Sequence, residues 1–206
     1  MNNLIKDTSF YIYRKFHNFF YILISYLIKI LDFYTSKQNN LIVFAQKNKL
    51  FSDNSKAFFK YLLENNPELE IIWLVDTKSE RDLLKNKYKI TNVKIIKNLD
   101  GISTLLRSKV IVVSNALDDF FPFFRPSAKK ISIQLWHGIN WSKKFEYPNN
   151  NFVKEITIAC ASSSENKIQM AKQNRFPEDR IYITGLPRND ILFKKNEIIL
   201  PENLSK

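Results

Sequence analysis

Along most of the chain, short apolar runs alternate with longer stretches in which apolar and polar residues mix at helical spacing. The runs Leu41 to Ala45, Ile71 to Val75, Val93 to Ile96, Val110 to Val113, Ile131 to Leu135, Ile156 to Ala159 and Ile181 to Ile183 are short and rich in β-branched residues, which predicts buried strands. Between them, Ser55 to Glu64, Lys78 to Lys87, Asp100 to Leu106 and Ser163 to Gln173 predict helices. Thr77 with Glu80, and Ser162 with Glu165, have the spacing of capping boxes, in which a hydroxyl and a carboxylate satisfy the first free amides of a helix. Strands apolar throughout, joined by helices, imply an α/β fold with a doubly wound parallel sheet. Ligands of such sheets bind beyond the carboxyl ends of the strands, so function is sought in the segments that follow them.

The amino-terminal part differs. From Phe10 to Tyr34 it is almost continuously aromatic and aliphatic, broken by Arg14, Lys15, His17 and Lys29. Its longest apolar part, Phe19 to Ile28, is about half of the roughly 20 residues a spanning helix needs. No small-residue cleavage site follows it, which argues against a secretory signal. The expectation is an amphipathic helix within residues 1–36 lying in the headgroup region of a membrane; packing against the following domain or in a partner's groove is the alternative.

The chain has 206 residues, which suggests one domain with extra pieces. A net charge of +12 points to anionic partners: phosphates, nucleic acid or an acidic membrane face. The basic residues are spread along the chain without a recognition-helix or RNA-binding motif, which disfavours nucleic acid. One cysteine excludes an internal disulfide framework, and Cys160 sits in an apolar stretch where a buried thiol is expected. No cluster has metal-ligand spacing, and three scattered glycines exclude a glycine-rich phosphate loop.

Three segments after predicted strands concentrate the chemistry. Ser114-Asn115-Ala116 leads into a long loop, Leu117 to Lys130, whose run from Phe120 to Pro126 either joins the core or forms an apolar patch. After Leu135 come Trp136, His137 and Gly138, then Trp141 and the pair Lys143 and Lys144. A histidine just beyond a buried strand is placed to act as a general base, and the neighbouring glycine would let backbone turn or substrate approach. The alternative is a histidine whose ring completes the loop by hydrogen bonds. Lys143 and Lys144 could hold a diphosphate or simply face solvent. After Ile183, Thr184 to Asp190 open a short helix with Pro187 in its first turn. Arg188 can grip a phosphate or a carboxylate, and Asp190 can cap that helix or pair with Arg188.

Taken together, Gln134-Leu135-Trp136-His137-Gly138 followed by Lys143-Lys144, then Thr184-Gly185-Leu186-Pro187-Arg188-Asn189-Asp190 about fifty residues on, resemble the CDP-glycerol glycerophosphotransferases. Asn54-Ser55-Lys56-Ala57 with Tyr61-Leu62, and Ile72-Trp73-Leu74, add to the likeness, which runs from Leu41 to Phe193. These enzymes make teichoic acids and related glycerol-phosphate polymers. The resemblance implies a Rossmann-like parallel sheet forming one half of a GT-B architecture, attached peripherally to the cytoplasmic face of the cell membrane. It implies transfer of glycerol phosphate from CDP-glycerol to a hydroxyl on a lipid-linked polymer acceptor, with release of CMP and no cofactor. It makes His137 the catalytic base, with Trp136, Gly138, Lys143, Lys144, Arg188, Asn189 and Asp190 as substrate-binding residues.

In the family, a second Rossmann-like domain carries most of the CDP-glycerol site, including another histidine. This chain's only other histidine is His17. Residues 41–193 are therefore expected to be the acceptor-side domain, and 194–206 a linker toward a donor domain. Half a cleft should neither orient a diphosphate nor exclude water, so little turnover is expected from the 206 residues alone. Two other readings remain: a membrane-associated binding module without chemistry, and a GT-B glycosyltransferase using a nucleotide-sugar.

Overall fold

The computed structural model describes residues 19–46, 51–122, 124–138 and 151–193. A helix α1 (19–34) precedes seven strands: β1 (Gln38–Ala45), β2 (Glu70–Val75), β3 (Val93–Ile95), β4 (Ser108–Val113), β5 (Ile131–Gln134), β6 (Ile158–Ala161) and β7 (Ile181–Ile183). All pair in parallel in the order β3-β2-β1-β4-β5-β6-β7. The connections are α2 (Asp53–Asn65), α3 (Lys78–Tyr88), α4 (Leu99–Arg107), a one-turn α5 (Asn151–Lys154) and α6 (Ser164–Asn174). This is the expected Rossmann-like sheet. The order reverses between β1 and β4, so the loops leaving those two strands diverge and open a crevice at their carboxyl ends.

Successive side chains of a strand point to opposite faces, and the two faces build separate cores. Leu41, Val43 and Ala45 join Ile72, Leu74, Ile111 and Val113 beneath α4 and α6. Phe44 joins Ile71, Trp73, Val75 and Val112 beneath α2 and α3. In the second core, Trp73 stacks parallel to Phe44 at 5.9 Å and meets the rings of Phe51 and Phe59 edge-on at 4.8 and 5.3 Å. The aromatic loop after β4 joins the first core. Phe120 and Phe124 are buried there, with Phe121 packed against them, so at these positions the apolar-patch alternative fails. A Cβ at Gly101 would sit 2.0 Å from the Ile95 carbonyl oxygen, so only glycine lets α4 start this close to β3.

Two boundaries shift from expectation. The capping box at Thr77 and Glu80 forms as predicted. At α6 a cap forms a residue later and without the reciprocal bond of a box: Ser163 Oγ accepts from the Asn166 amide, while Asn166 Oδ1 accepts from the amide of Ser162, the residue before the cap. Asn166 thus takes the place foreseen for Glu165, which stays exposed. Strand β6 starts at Ile158 because the Ile156 amide closes the α5 turn onto the Val153 carbonyl.

Helix α1 buries two polar residues in a mixed inner face and exposes an apolar outer one. Facing the domain are Tyr21, Ile24, Ser25, Ile28 and Asp32, of which Ser25 and Asp32 are fully buried. Facing outward are Phe19, Phe20, Leu23, Tyr26, Leu27, Ile30 and Leu31, all exposed. Asp32 holds the helix in place: its carboxylate lies 2.9 Å from Lys130 Nζ and 2.8 Å from Lys37 Nζ, and accepts from the Ser127 amide. Lys130 also donates to the carbonyls of Leu105 and Ser108, at 2.5 and 2.7 Å, and Lys37 to that of Leu106 at 2.6 Å. Two ammonium groups thereby satisfy the open carboxyl end of α4. Burial pushes the Asp32 carboxyl up, but Lys130, Lys37 and Ser127 more than offset this and hold it below the ordinary range. Burial pushes Lys130 down to about 8, against the pull of Asp32.

Removing one member of a buried ionic group strands the others, so Asp32→Ala should cost about 3–5 kcal/mol in urea unfolding at neutral pH. The pH dependence has a definite sign. Between about 8 and the ordinary 10.5, the unfolded chain holds a proton on Lys130 that the folded chain has released, so this group adds stability as pH rises. The unfolding free energy of the wild type relative to Lys130→Met should therefore climb through that window; a flat difference would contradict the assignment.

Candidate active site

Four segments meet at the carboxyl edge of the sheet, those that follow β1, β4, β5 and β7, and the first turn of α2 is their platform. Asn54 and Ser55 are fully buried there. Ser55 Oγ lies 2.6 Å from Ser114 Oγ, which also accepts the Ser55 amide at 3.1 Å. The N-cap residue Ser52 makes no side-chain cap, so a hydroxyl from the far side of the crevice satisfies this first-turn amide instead. Beside Ser114, the Asn115 amide and side chain bond to the Asp119 carboxylate, and the Asn115 carbonyl accepts from Gln134 Nε2 at 2.7 Å.

Asn54 reaches further. Its Nδ2 donates to the Trp136 carbonyl at 2.7 Å, and its Oδ1 accepts from the Arg188 amide at 3.1 Å. The segments after β5 and β7 are thus joined through α2. Trp136 is buried and carries a left-handed φ of 62°, uncommon for a bulky residue. Its indole Nε1 has no hydrogen-bond partner among the described residues. His137 emerges exposed, its imidazole stacked on the Trp136 ring at 5.7 Å and 21°. Among the described residues the ring has no hydrogen-bond partner, and the loop that follows it, residues 139–150, lies outside them.

Arg188 lies in a 3-10 helix, Pro187–Phe193, as the short helix foreseen after Ile183. Its Nη1 donates to Asp53 Oδ1 at 2.6 Å and to the His137 carbonyl at 3.0 Å. Of the two roles open to it, it grips a carboxylate, and the partner is Asp53 rather than Asp190. Asn189 and Asp190 are exposed, and Asp190 lines a cleft between that helix and α2 together with Asp53, Lys56, Lys60 and Arg188. Asp190 is also too late in the helix to cap it, lying within Pro187–Phe193. The structure therefore brings together Trp136, His137 and Arg188, with Gly138 adjoining. Lys143 and Lys144 lie outside the described residues, as do His17 and residues 194–206.

Gly138 has nothing within 4 Å of its Cβ position and no left-handed φ; the chain bends at His137 and Gly138, and the left-handed position of this segment is Trp136. Gly185, in contrast, has φ +76°. Cys160 is buried, and burial pushes its thiol pKa up, which suits a packing role. Among the described residues, no group of three or more His, Cys, Asp or Glu could hold a metal.

Sequence reasoning passed over Asp53, Asn54, Ser55 and Ser114 as site residues. Asn54 and Ser55 carried part of the family resemblance, but their partners lie 59 to 134 residues away. No local spacing announces such contacts.

Residues 27–202 match the family described as CDP-Glycerol:Poly(glycerophosphate) glycerophosphotransferase. The chain is 28% identical over 181 residues to the teichoic acid poly(glycerol phosphate) polymerase of Bacillus spizizenii, over 78% of this chain and 44% of that protein. Among solved structures, the wall teichoic acid polymerase TagF aligns with a TM-score of 0.61 at 17% identity, over 89% of this chain and 50% of the polymerase. A histidine-to-asparagine variant of that polymerase, soaked with CDPG, gives 0.61 at 16% identity, over 89% and 52%. At such identity the likeness shows a shared fold. The chain spans about half the length of the relatives it matches.

The two glycines separate backbone need from open space. Gly185→Ala should destabilise by more than about 1 kcal/mol, because alanine is strained at that φ. Gly138→Ala should stay within about 0.5 kcal/mol in the same thermal unfolding assay.

Proposed function

Because the chain belongs to the CDP-glycerol:poly(glycerophosphate) glycerophosphotransferase family, we propose that it forms the acceptor-side half of a transferase acting on a lipid-linked cell-surface polymer. The reaction moves glycerol phosphate from CDP-glycerol to an acceptor hydroxyl. The hydroxyl oxygen attacks the phosphorus that carries glycerol, the bond from that phosphorus to the bridging oxygen breaks, and CMP departs. His137 takes the proton of the attacking hydroxyl. A glycerol hydroxyl is a weak nucleophile, and a positioned imidazole contributes about 10²–10⁴-fold in such steps.

The observation that carries this reading is the placement of His137. It stands exposed at the carboxyl edge of the sheet, on a backbone held from beneath by Asn54 and Arg188. Arg188 serves this site as a support, since its guanidinium is engaged by Asp53 and the His137 carbonyl. The donor would be bound mainly by a second Rossmann-like domain, as the family resemblance implies.

The same proposal puts the chain peripherally on the cytoplasmic face of the cell membrane. Its support is the apolar outer face of α1: a helix that buries Ser25 and Asp32 and exposes Phe19, Phe20, Leu23, Leu27 and Leu31 is suited to an apolar outer environment. Among the described residues, no helix is long and apolar enough to cross a membrane. A net charge of +12 favours anionic headgroups.

Two measurements test the proposal. Joined to the C-terminal half of a family polymerase, the chain should release CMP from CDP-glycerol in the presence of a glycerol-phosphate acceptor, and His137→Ala should reduce this at least 100-fold. Unchanged release in that variant removes His137 as the base. In flotation with anionic liposomes the wild-type chain should rise with the vesicles, and Phe20→Glu combined with Leu27→Glu should leave it at the bottom. A wild-type chain that does not float refutes the membrane reading.

A further inference from the structure

We propose that Asn54, acting with Arg188, is the positioning residue of His137, fixing the direction in which the imidazole leaves the sheet edge. This rests on the reading of His137 as the base. Asn54 is fully buried and does not meet substrate, so any effect on the reaction passes through what it holds.

What it holds are the two peptide groups that flank the His137 Cα. Asn54 Nδ2 donates to the Trp136 carbonyl, which belongs to the peptide before that Cα. Arg188 Nη1 donates to the His137 carbonyl, which belongs to the peptide after it. With both planes pinned, the backbone angles at His137 are set, and with them the Cα–Cβ direction. The orientation of the Asn54 amide is unambiguous: a carbonyl can only accept and a backbone amide can only donate, so Nδ2 must face Trp136 and Oδ1 must face Arg188.

The two donors are also coupled to each other. Asn54 Oδ1 accepts the Arg188 backbone amide, and the neighbouring Asp53 binds the Arg188 guanidinium. Two adjacent residues of α2 therefore control both peptides. Such a clamp is needed here because Trp136 sits at φ 62°, a conformation that costs of order 1–3 kcal/mol and persists only when its surroundings impose it. The imidazole itself has only the Trp136 stack as a described contact, so its aim comes from the backbone beneath it. Orientation is worth much in catalysis: a misplacement of about 1 Å can cost about 100-fold in rate.

The test uses proton NMR of the full chain. It has two histidines, so the His137 ring signals are identified by their absence in His137→Ala. In the wild type they should be displaced by the ring current of Trp136. In Asn54→Ala and in Arg188→Met they should move toward the values of a free, solvent-exposed imidazole, with circular dichroism unchanged. Arg188→Met, at a partly exposed side chain, decides the matter if the buried Asn54→Ala does not fold. Signals that stay in place in the folded variants overturn the proposal. In the CMP-release assay both variants should lower kcat about 100-fold with little change in KM. Full activity in both, alongside an inactive His137→Ala, would equally overturn it. An active His137→Ala would instead remove the catalytic reading and leave the ring-signal result to decide the clamp.

Discussion

One buried amide holds the site together. The segments that follow β5 and β7 have no ladder of their own, and their backbone groups need partners wherever they are shielded from water. Asn54 supplies one donor and one acceptor to them from the rigid first turn of α2, across 82 and 134 residues of sequence. Ser55 does the same for the crevice wall after β4 through Ser114. The carboxyl edge of the sheet is thus organised around a helix start, and the exposed His137 inherits its position from that start. An apolar residue at position 54 would leave the buried Trp136 carbonyl without this partner, a loss that costs about 1–3 kcal/mol, and would also free the half-buried Arg188 amide.

A second constraint works on the opposite side of the molecule. Helix α1 is attached by Ile28, which packs on the first core, and by an ionic group of Asp32, Lys37 and Lys130 that also closes the end of α4. Burying such charges is tolerable because nearly every oxygen and hydrogen finds a partner, carbonyls and a backbone amide included. The consequence is that the apolar side of α1 faces outward. Attachment then leaves the other face of the helix free, which is why a helix rich in Phe and Tyr can be well anchored to the domain and still present its aromatic side.

Much of the fold was legible because parallel strands covered on both faces read as short apolar runs, and all seven runs became strands. Boundaries moved where a competing hydrogen bond was stronger than the pattern, as at Ile156, which closes α5, and at Ser163, where Asn166 displaced Glu165 from the cap. The aromatic loop could not be decided from composition. Phe120 and Phe124 fill the core because the loop folds back over β1 and β4, a matter of chain path rather than residue type. The exposed position of His137 beyond the end of β5 was legible from its place after a strand, whereas the partner of Arg188 was not. Asp190 is near in sequence, yet Asp53 is near in space.

By itself, the sequence determined the α/β alternation and the family whose pattern residues 27–202 match. These are properties of short-range pattern: side-chain periodicity, capping spacing and residue type at strand ends. Only the tertiary structure decided that Trp136 rather than Gly138 takes the left-handed conformation, that Asn54 bonds the backbone before the histidine, and that α1 turns its exposed aromatic face outward. Each of these depends on which distant groups satisfy a buried hydrogen bond or charge, and that choice exists only once the strands have been ordered into a sheet.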